Sequence, residues 1–371
     1  MSKYGNPYFL GGSDDLEYEL YALDFVNRYR WYEYSLIRGN VTSEFHNSVG
    51  YVYFISLIIR LGETFGGYHT MMPRLINLFI LVLFCQGLYR LCNNSLNIDR
   101  RDAYYIIILF GFNPFVLYIS SHIYRDLLIG FLFFCSIYFV LSYRLYFSIL
   151  VVPFLSFLVY EFRQMTAVMM LFISPMFWVF KIKLSWLRSL ILLISIVPMF
   201  FFVLYFDVFD RLTSYSDIYT NYRMGLAEGL SSKIFSLPLY FGLPLRVLYY
   251  FLTPIPVFYL EFDKITLMFS TFLQCVSLPI IFLGIKRVLF QKENYGIKLI
   301  IFTFSILLIG LAATSFSIRH MIIFYPYWVI STVYIYQTDN LVRNTMKRAS
   351  GLLFIAIMLI VVFYFLYKVL L

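Results

Sequence analysis

Four carboxylates crowd one short stretch near the start of the chain, GGSDDLEYELYA at 11–22, where Asp14 and Asp15 adjoin and Glu17 and Glu19 follow. A second acidic position, Asp126, stands in SSHIYRDLLIGF with His122 and Arg125 beside it. Further along, YEFRQMTA carries Glu161 and Arg163, and TSFSIRHMIIFYP carries Arg319 and His320. A carboxylate beside an alcohol can take its proton as the oxygen attacks a carbon centre. Arginine, lysine, histidine or a divalent metal ion can hold the negative charge that grows on a departing phosphate. Together these residue types suit glycosyl transfer from a lipid phosphate. The bond from the anomeric carbon to the phosphate oxygen breaks, and an acceptor hydroxyl oxygen takes its place.

The elements that must position these groups are membrane helices. Of 371 residues, 61% are hydrophobic and only 13% are charged, about half the charge of an ordinary soluble domain. Several apolar runs reach the roughly 20 residues needed to cross a bilayer. The runs are continuous rather than alternating, which excludes a membrane β-barrel. The sequence therefore reads as an all-α polytopic membrane protein. Its net charge of +9 is the excess of Lys and Arg that marks cytoplasmic loops, not a nucleic-acid footprint. Cys85, Cys92, Cys135 and Cys275 lie in or at the ends of apolar segments without metal or redox spacing, and read as packing residues. The first 47 residues hold no apolar core of the length a cleavable signal peptide needs.

Ten spans are expected, at 71–92, 103–121, 126–142, 145–160, 165–181, 187–206, 264–285, 297–314, 321–336 and 350–370. One set of alternate loops, 90–102, 143–144, 181–188, 286–298 and 337–349, holds 14 Lys and Arg against 4 acids. The rest of the chain holds 15 against 16. The first set is cytoplasmic by the positive-inside rule. The acidic N-terminal stretch and the loop 207–263 then face outward, with Asp126, Glu161 and Arg319 at outward turns.

Two stretches are not simple spans. VGYVYFISLIIRLG at 49–62 is short, contains Arg60 and has glycine near both ends, which suits a helix lying in the interface. SLPLYFGLPLRVLYYFLTPIPVFYL at 236–260 has four prolines around Arg246, and reads as an interfacial or re-entrant segment buried against protein. The chain is expected to form one integral-membrane domain. Residues 1–70 form the outer acidic loop and interfacial helix, 71–206 a six-span bundle, 207–263 an outer loop and 264–371 a four-span bundle. The loop 207–263 is expected to cover the site, offering Arg223, Lys233 and Arg246 to a phosphate.

The order of these features resembles the GT-C superfamily of integral-membrane glycosyltransferases, of the bacterial type that uses polyprenyl-phosphate-linked sugars. In that family an acidic pair in the first outer loop serves as, or beside, the catalytic base, and GGSDDLEYELYA matches its place and pattern. The stretch that follows, FHNSVGYVYFISLIIRLGETFGGYHTMMPRLINLFILVLFCQGLYRL, is similar to the family's sequel of interfacial helix, Arg-Leu pair and first long span. Asp126 falls where the second family acid stands, and SIRHMIIFYPYWVI resembles a late motif in which an Arg opens a span containing a Pro, here Arg319 and Pro326. The likeness covers roughly the first 145 residues and the region around 315–330. The family places a span ahead of its acidic loop, and MSKYGNPYFLGG is not one.

The resemblance implies a fold of about ten transmembrane helices with interfacial helices. The expected enzyme moves a sugar from a polyprenyl-phosphate donor to a glycan, lipid or protein acceptor on the outer, periplasmic face of the plasma (inner) membrane. Asp15 is the expected catalytic base, with Asp14 orienting it. Arg319, His320, Arg246, Arg125 and Arg163 are the expected ligands of the donor phosphate. A divalent cation, Mg or Mn, would sit on Asp126, Asp14 and His122. RDLLIG and EFRQMTA are also similar to stretches of bacterial repeat-unit polymerases, which makes O-antigen or exopolysaccharide polymerisation the alternative. A transporter of lipid-linked glycans is a third reading. It is disfavoured because no internal repeat is visible and the charges gather at one face.

Overall fold

The computed structural model describes residues 13–34, 48–143, 145–181, 239–252, 262–290, 295–314 and 318–370, with residues 190, 233, 234 and 237 besides. The expected span 187–206 and most of the loop 207–263, including Arg223, lie outside the described residues. So does the side chain of Asp14. Among the described residues there is no strand. The fold is all-α. Two helices, Met71–Ser95 and Tyr295–Ala313, are long and apolar enough to cross a membrane, and the pair Arg100–Gly111 and Pro114–Ser120 makes a third if counted as one span. Asp126–Ser142, Leu150–Phe162 and Leu273–Lys286 are shorter apolar helices.

By contacts the chain divides into two compact units, one formed by Met1–Gly87 with Val116–Leu171 and the other by Leu88–Phe115 with Phe172–Leu371. In the first, helix α1 (Ser13–Arg28) packs on α2 (Val49–Thr64). Then follow α3 (Met71–Arg90), α5 (Pro114–Ser120), α6 (Asp126–Ser142), α7 (Leu145–Phe162) and the start of α8 (Gln164–Lys181). The expected interfacial helix at 49–62 is present as α2, and it buries Tyr51, Ile55 and Ile59. Helix α2 meets α7 at Gly50, where an added Cβ would stand 2.6 Å from the Glu161 carbonyl oxygen. Only glycine allows that approach. Likewise Gly87 in α3 gives room to the Phe134 ring of α6, which also packs on Phe84 at 4.9 Å between centroids.

The turn after α2 uses two left-handed glycines, Gly66 at φ 108° and Gly67 at φ 130°. The Gly67 amide closes onto the Gly62 carbonyl at 2.9 Å. This reversal carries Tyr68 back toward α1.

In the second unit, α4 (Arg100–Gly111), α10 (Phe262–Phe290) and α11 (Tyr295–Thr314) surround α12 (Tyr325–Thr338). Helices α9 (Leu239–Leu252) and α13 (Asn340–Leu370) complete the packing. Gly284 of α10 lets Ile335 of α12 pack against its backbone. The apolar run 103–121 is not one helix. It breaks at Phe112 and Asn113, because a residue before proline avoids the helical region. Asn113 then accepts a hydrogen bond at 2.9 Å from the Phe115 amide, capping α5. In the same way, the expected span 321–336 opens with a 3-10 turn, Ile318–Ile323, before α12 begins at Tyr325 with Pro326 in its first turn.

Candidate functional site

The first unit gathers charge from four separated stretches of sequence. Asp15 sits in the first turn of α1, where free backbone N–H groups and the helix dipole favour an anion. It is 0% exposed. Its Oδ2 accepts from Arg74 Nη2 at 3.0 Å, and its Oδ1 accepts from the Ile123 backbone N–H at 2.5 Å. One helical turn on, and therefore on the same face, Glu19 is also buried and accepts from the Tyr68 hydroxyl at 2.5 Å. Glu17, between them, is exposed. The α1 helix thus turns Asp15 and Glu19 inward and Glu17 outward.

The Ile123 amide is aimed by its neighbours. Asn77 Nδ2 donates to the His122 carbonyl at 2.7 Å and to the Tyr124 carbonyl at 3.3 Å, fixing the link between α5 and α6. The His122 ring is buried, holds the Tyr118 carbonyl at 2.6 Å through Nδ1 and stacks on Tyr124. Next along the chain, Arg125 donates to the Ser48 hydroxyl at the head of α2 and to the Phe162 carbonyl at 2.8 Å. Asp126, buried in the first turn of α6, faces Arg163, with Oδ1 3.5 Å from Nη1. Glu161 accepts from the Tyr34 hydroxyl.

Burial pushes the Asp15 carboxyl above its ordinary value, and Arg74, the Ile123 N–H and His122 pull it back down. Glu19 nearby pushes it further up. Tyr51, wholly buried in α2, has its hydroxyl pushed well up by burial, with Asn77 lowering it and Tyr18, Asp15 and Asp126 raising it further. Tyr51 therefore senses both acids. Charges held this far from water interact strongly, and each is tolerated only because it has partners.

The structure thus brings Asp15, His122, Arg125, Asp126 and Arg163 into one compact unit. Arg246, Arg319 and His320 belong to the other. There Arg246 is buried in α9 and donates from Nη2 to the Leu237 carbonyl at 3.1 Å, while His320 is buried in the 3-10 turn and Arg319 is half-buried. Lys233 is exposed.

Of the expected divalent-metal set Asp126, Asp14 and His122, the Asp14 side chain lies outside the described residues. Among the described residues no three His, Cys, Asp or Glu side chains gather. Asp126 turns to Arg163, and the His122 Nδ1 is engaged with a carbonyl.

Sequence reasoning missed Arg74, Glu19, Tyr68 and Asn77 as members of the cluster. The signal for Arg74 was its place in MMPRLINLF, a lone cation opening the first long apolar run. For Glu19 it was the four-residue spacing from Asp15. Set beside models of protein families, curated proteins and solved structures, the chain matches none of them.

Proposed function

We propose that this chain is a multi-pass glycosyltransferase of the plasma (inner) membrane, with about ten spans and a site facing outward. It moves a sugar from a polyprenyl-phosphate donor to a glycan, lipid or protein acceptor, as its resemblance to the GT-C superfamily implies. The observation that carries this reading is Asp15, a carboxylate with both oxygens engaged and its acidity lowered by burial, held by Arg74 from a distant segment. A raised carboxyl is a better base than an ordinary one. Arginine at close range is suited to a departing phosphate.

In the proposed reaction Arg74 exchanges Asp15 for the donor phosphate, which frees Oδ2 to accept the acceptor's hydroxyl proton. The acceptor oxygen bonds to the anomeric carbon as the carbon–oxygen bond to phosphate breaks. The lipid phosphate leaves with the electron pair, and Asp15 holds the proton. Arg125 and Arg163 add positive charge beside the site, and Asp126 keeps Arg163 in place. No step runs through a metal.

The test is sugar transfer from a synthetic polyprenyl-phosphate sugar by the full chain in vesicles, with and without a chelator, together with analysis of lipid-linked and surface glycans in a deletion strain. A missing side-branch sugar supports the reading. An unpolymerised single repeat unit would move the assignment to the polymerase. Cysteine labelling checks the orientation, with positions near 98, 184, 292 and 344 inside and those near 15, 220 and 318 outside. Finding residues 11–22 in the cytoplasm would overturn the reading.

A further inference from the structure

The second unit contains a cavity of about 820 Å³ between α4, α10, α12 and α13, within the volume range of binding sites for whole ligands. Its two ends differ in chemistry. Tyr325 and Trp328, from the start of α12, line one end, and Gln337, near its end, lines the other. Twelve residues of helix separate them, about 18 Å, more than half the roughly 30 Å of a bilayer's hydrocarbon.

Helix α4 runs along the same length. Its C-terminal end reaches the Tyr325 end, where the Phe110 and Tyr325 rings are 6.3 Å apart and the Asn113 amide donates to the Tyr325 hydroxyl at 2.5 Å. Arg101, at the start of α4, therefore stands toward the Gln337 end. Lys347 joins it there from α13, early in the helix that follows the Asp339 turn.

At the Tyr325 end the polar atoms are already matched. Trp328 Nε1 donates to Ser277 Oγ at 2.5 Å, and Thr332 Oγ1 donates to the Trp328 carbonyl at 2.9 Å. The remaining wall, with Ile280, Val333 and Phe354, is apolar. At the mouth the balance is opposite. Arg101 rests on Tyr105, with Nε donating to its hydroxyl at 3.1 Å, and neither Arg101 nor Lys347 forms an ion pair among the described residues. Asp339, the nearest acid in sequence to Lys347, uses its carboxylate to accept from the amides of Leu341 and Val342.

A long apolar slot with two cations at its mouth matches one kind of molecule: an anionic amphiphile. We infer that this cavity holds an acyl chain of an anionic membrane phospholipid, with its phosphate on Arg101 and Lys347. The charge complementarity selects an anionic headgroup over a zwitterionic one, and the slot's length selects a hydrocarbon chain over a small solute. The site lies within the second unit and does not depend on the transferase reading.

Trp328 in the wall makes occupancy measurable. The full chain, with Trp31, Trp178 and Trp186 changed to Phe, is placed in phosphatidylcholine vesicles. Phosphatidylglycerol or phosphatidylcholine with brominated acyl chains is then titrated in, and quenching of Trp328 is followed. Brominated phosphatidylglycerol should quench at a mole fraction on the order of tenfold lower than brominated phosphatidylcholine. The exposed-residue variant Arg101→Gln/Lys347→Gln should abolish that preference. A second variant, Val333→Phe, fills the slot and should weaken quenching by both lipids. Equal quenching by the two lipids in the unaltered chain, or a preference that survives the double variant, would overturn the assignment. So would relief of quenching by a polyprenyl phosphate at a far lower mole fraction than by unbrominated phosphatidylglycerol, which would make the slot a prenyl-phosphate site.

Discussion

Asp15 and Arg74 lie 59 positions apart in the chain, yet a guanidinium nitrogen of Arg74 stands 3.0 Å from an Asp15 oxygen that no solvent reaches. Removing one partner of such a buried pair leaves the other charge without its counter-charge, a loss of about 3–5 kcal/mol, whereas replacing both with apolar groups can be neutral. That asymmetry separates a structural role from a chemical one. Asp15→Asn should lower transfer by about 10²–10⁴-fold at matched membrane abundance, as expected for loss of a general base, and should also lower the melting temperature. The double variant Asp15→Leu/Arg74→Leu should recover most of the melting temperature and none of the transfer. Recovery of both would make the pair a structural device only.

The pH dependence follows from the raised carboxyl. Burial shifts the Asp15 carboxyl above 3.8 in the folded chain, with Arg74 opposing the shift. The folded state then binds this proton more tightly than the unfolded chain. The group's contribution to stability is greatest below 3.8 and is lost as pH rises from there through the raised folded value. Transfer needs the carboxylate and should rise with pH over the same window. Arg74→Gln removes the main opposing influence, so its acidic limb should move to higher pH. A pH–rate profile of both proteins decides the point, and coincident limbs would argue against Asp15 as the base.

Helix packing offers a test free of chemistry. At Gly50 an added methyl would meet backbone and Cβ of Glu161 within 2.6–2.8 Å, with no flexible end to yield. Gly50→Ala should therefore destabilise the protein by about 1–3 kcal/mol. Gly351, in the interior of α13, has no atom within 4 Å of its added Cβ. Gly351→Ala should stabilise by about 0.5–1 kcal/mol. Thermal melts in one detergent compare the two directly.

Asp126 and Arg163 should prove coupled. Their 3.5 Å contact lies in the range where a double-mutant cycle yields about 0.5–3 kcal/mol. The cycle uses Asp126→Asn, Arg163→Gln and the double variant, read by thermal stability. A coupling near zero would show that each residue is held by other neighbours.

Much of this was legible in the sequence, because charge is rare in so apolar a chain. Asp15, Asp126, Arg125 and Arg163 stood out as ionisable residues at the ends of apolar runs, and all are held in the first unit. Arg74 was visible only as the Arg-Leu pair ahead of the first long span, with no role attached, since its partner is 59 positions away. The break inside the run 103–121 was not legible because hydropathy does not register the clash between proline and the residue before it. Glu19 and Tyr68 needed knowledge that Gly66 and Gly67 reverse the chain. Such long-range pairings arise only in the folded molecule.

The hydrogen bond from the Ile123 amide to Asp15 spans 108 positions, and that distance is also a delay. At synthesis rates of 5–20 residues per second, roughly 5 to 20 seconds pass between emergence of the carboxylate and of the amide that receives it. Arg74 emerges about midway through that interval, and until it does Asp15 has neither of its eventual partners, so it must stay hydrated or carry a proton. Helix α1 is thus made early and seated late. Its docking waits for both Arg74 and Ile123, and a chain stalled before Ile123 would still lack the amide that caps this carboxylate.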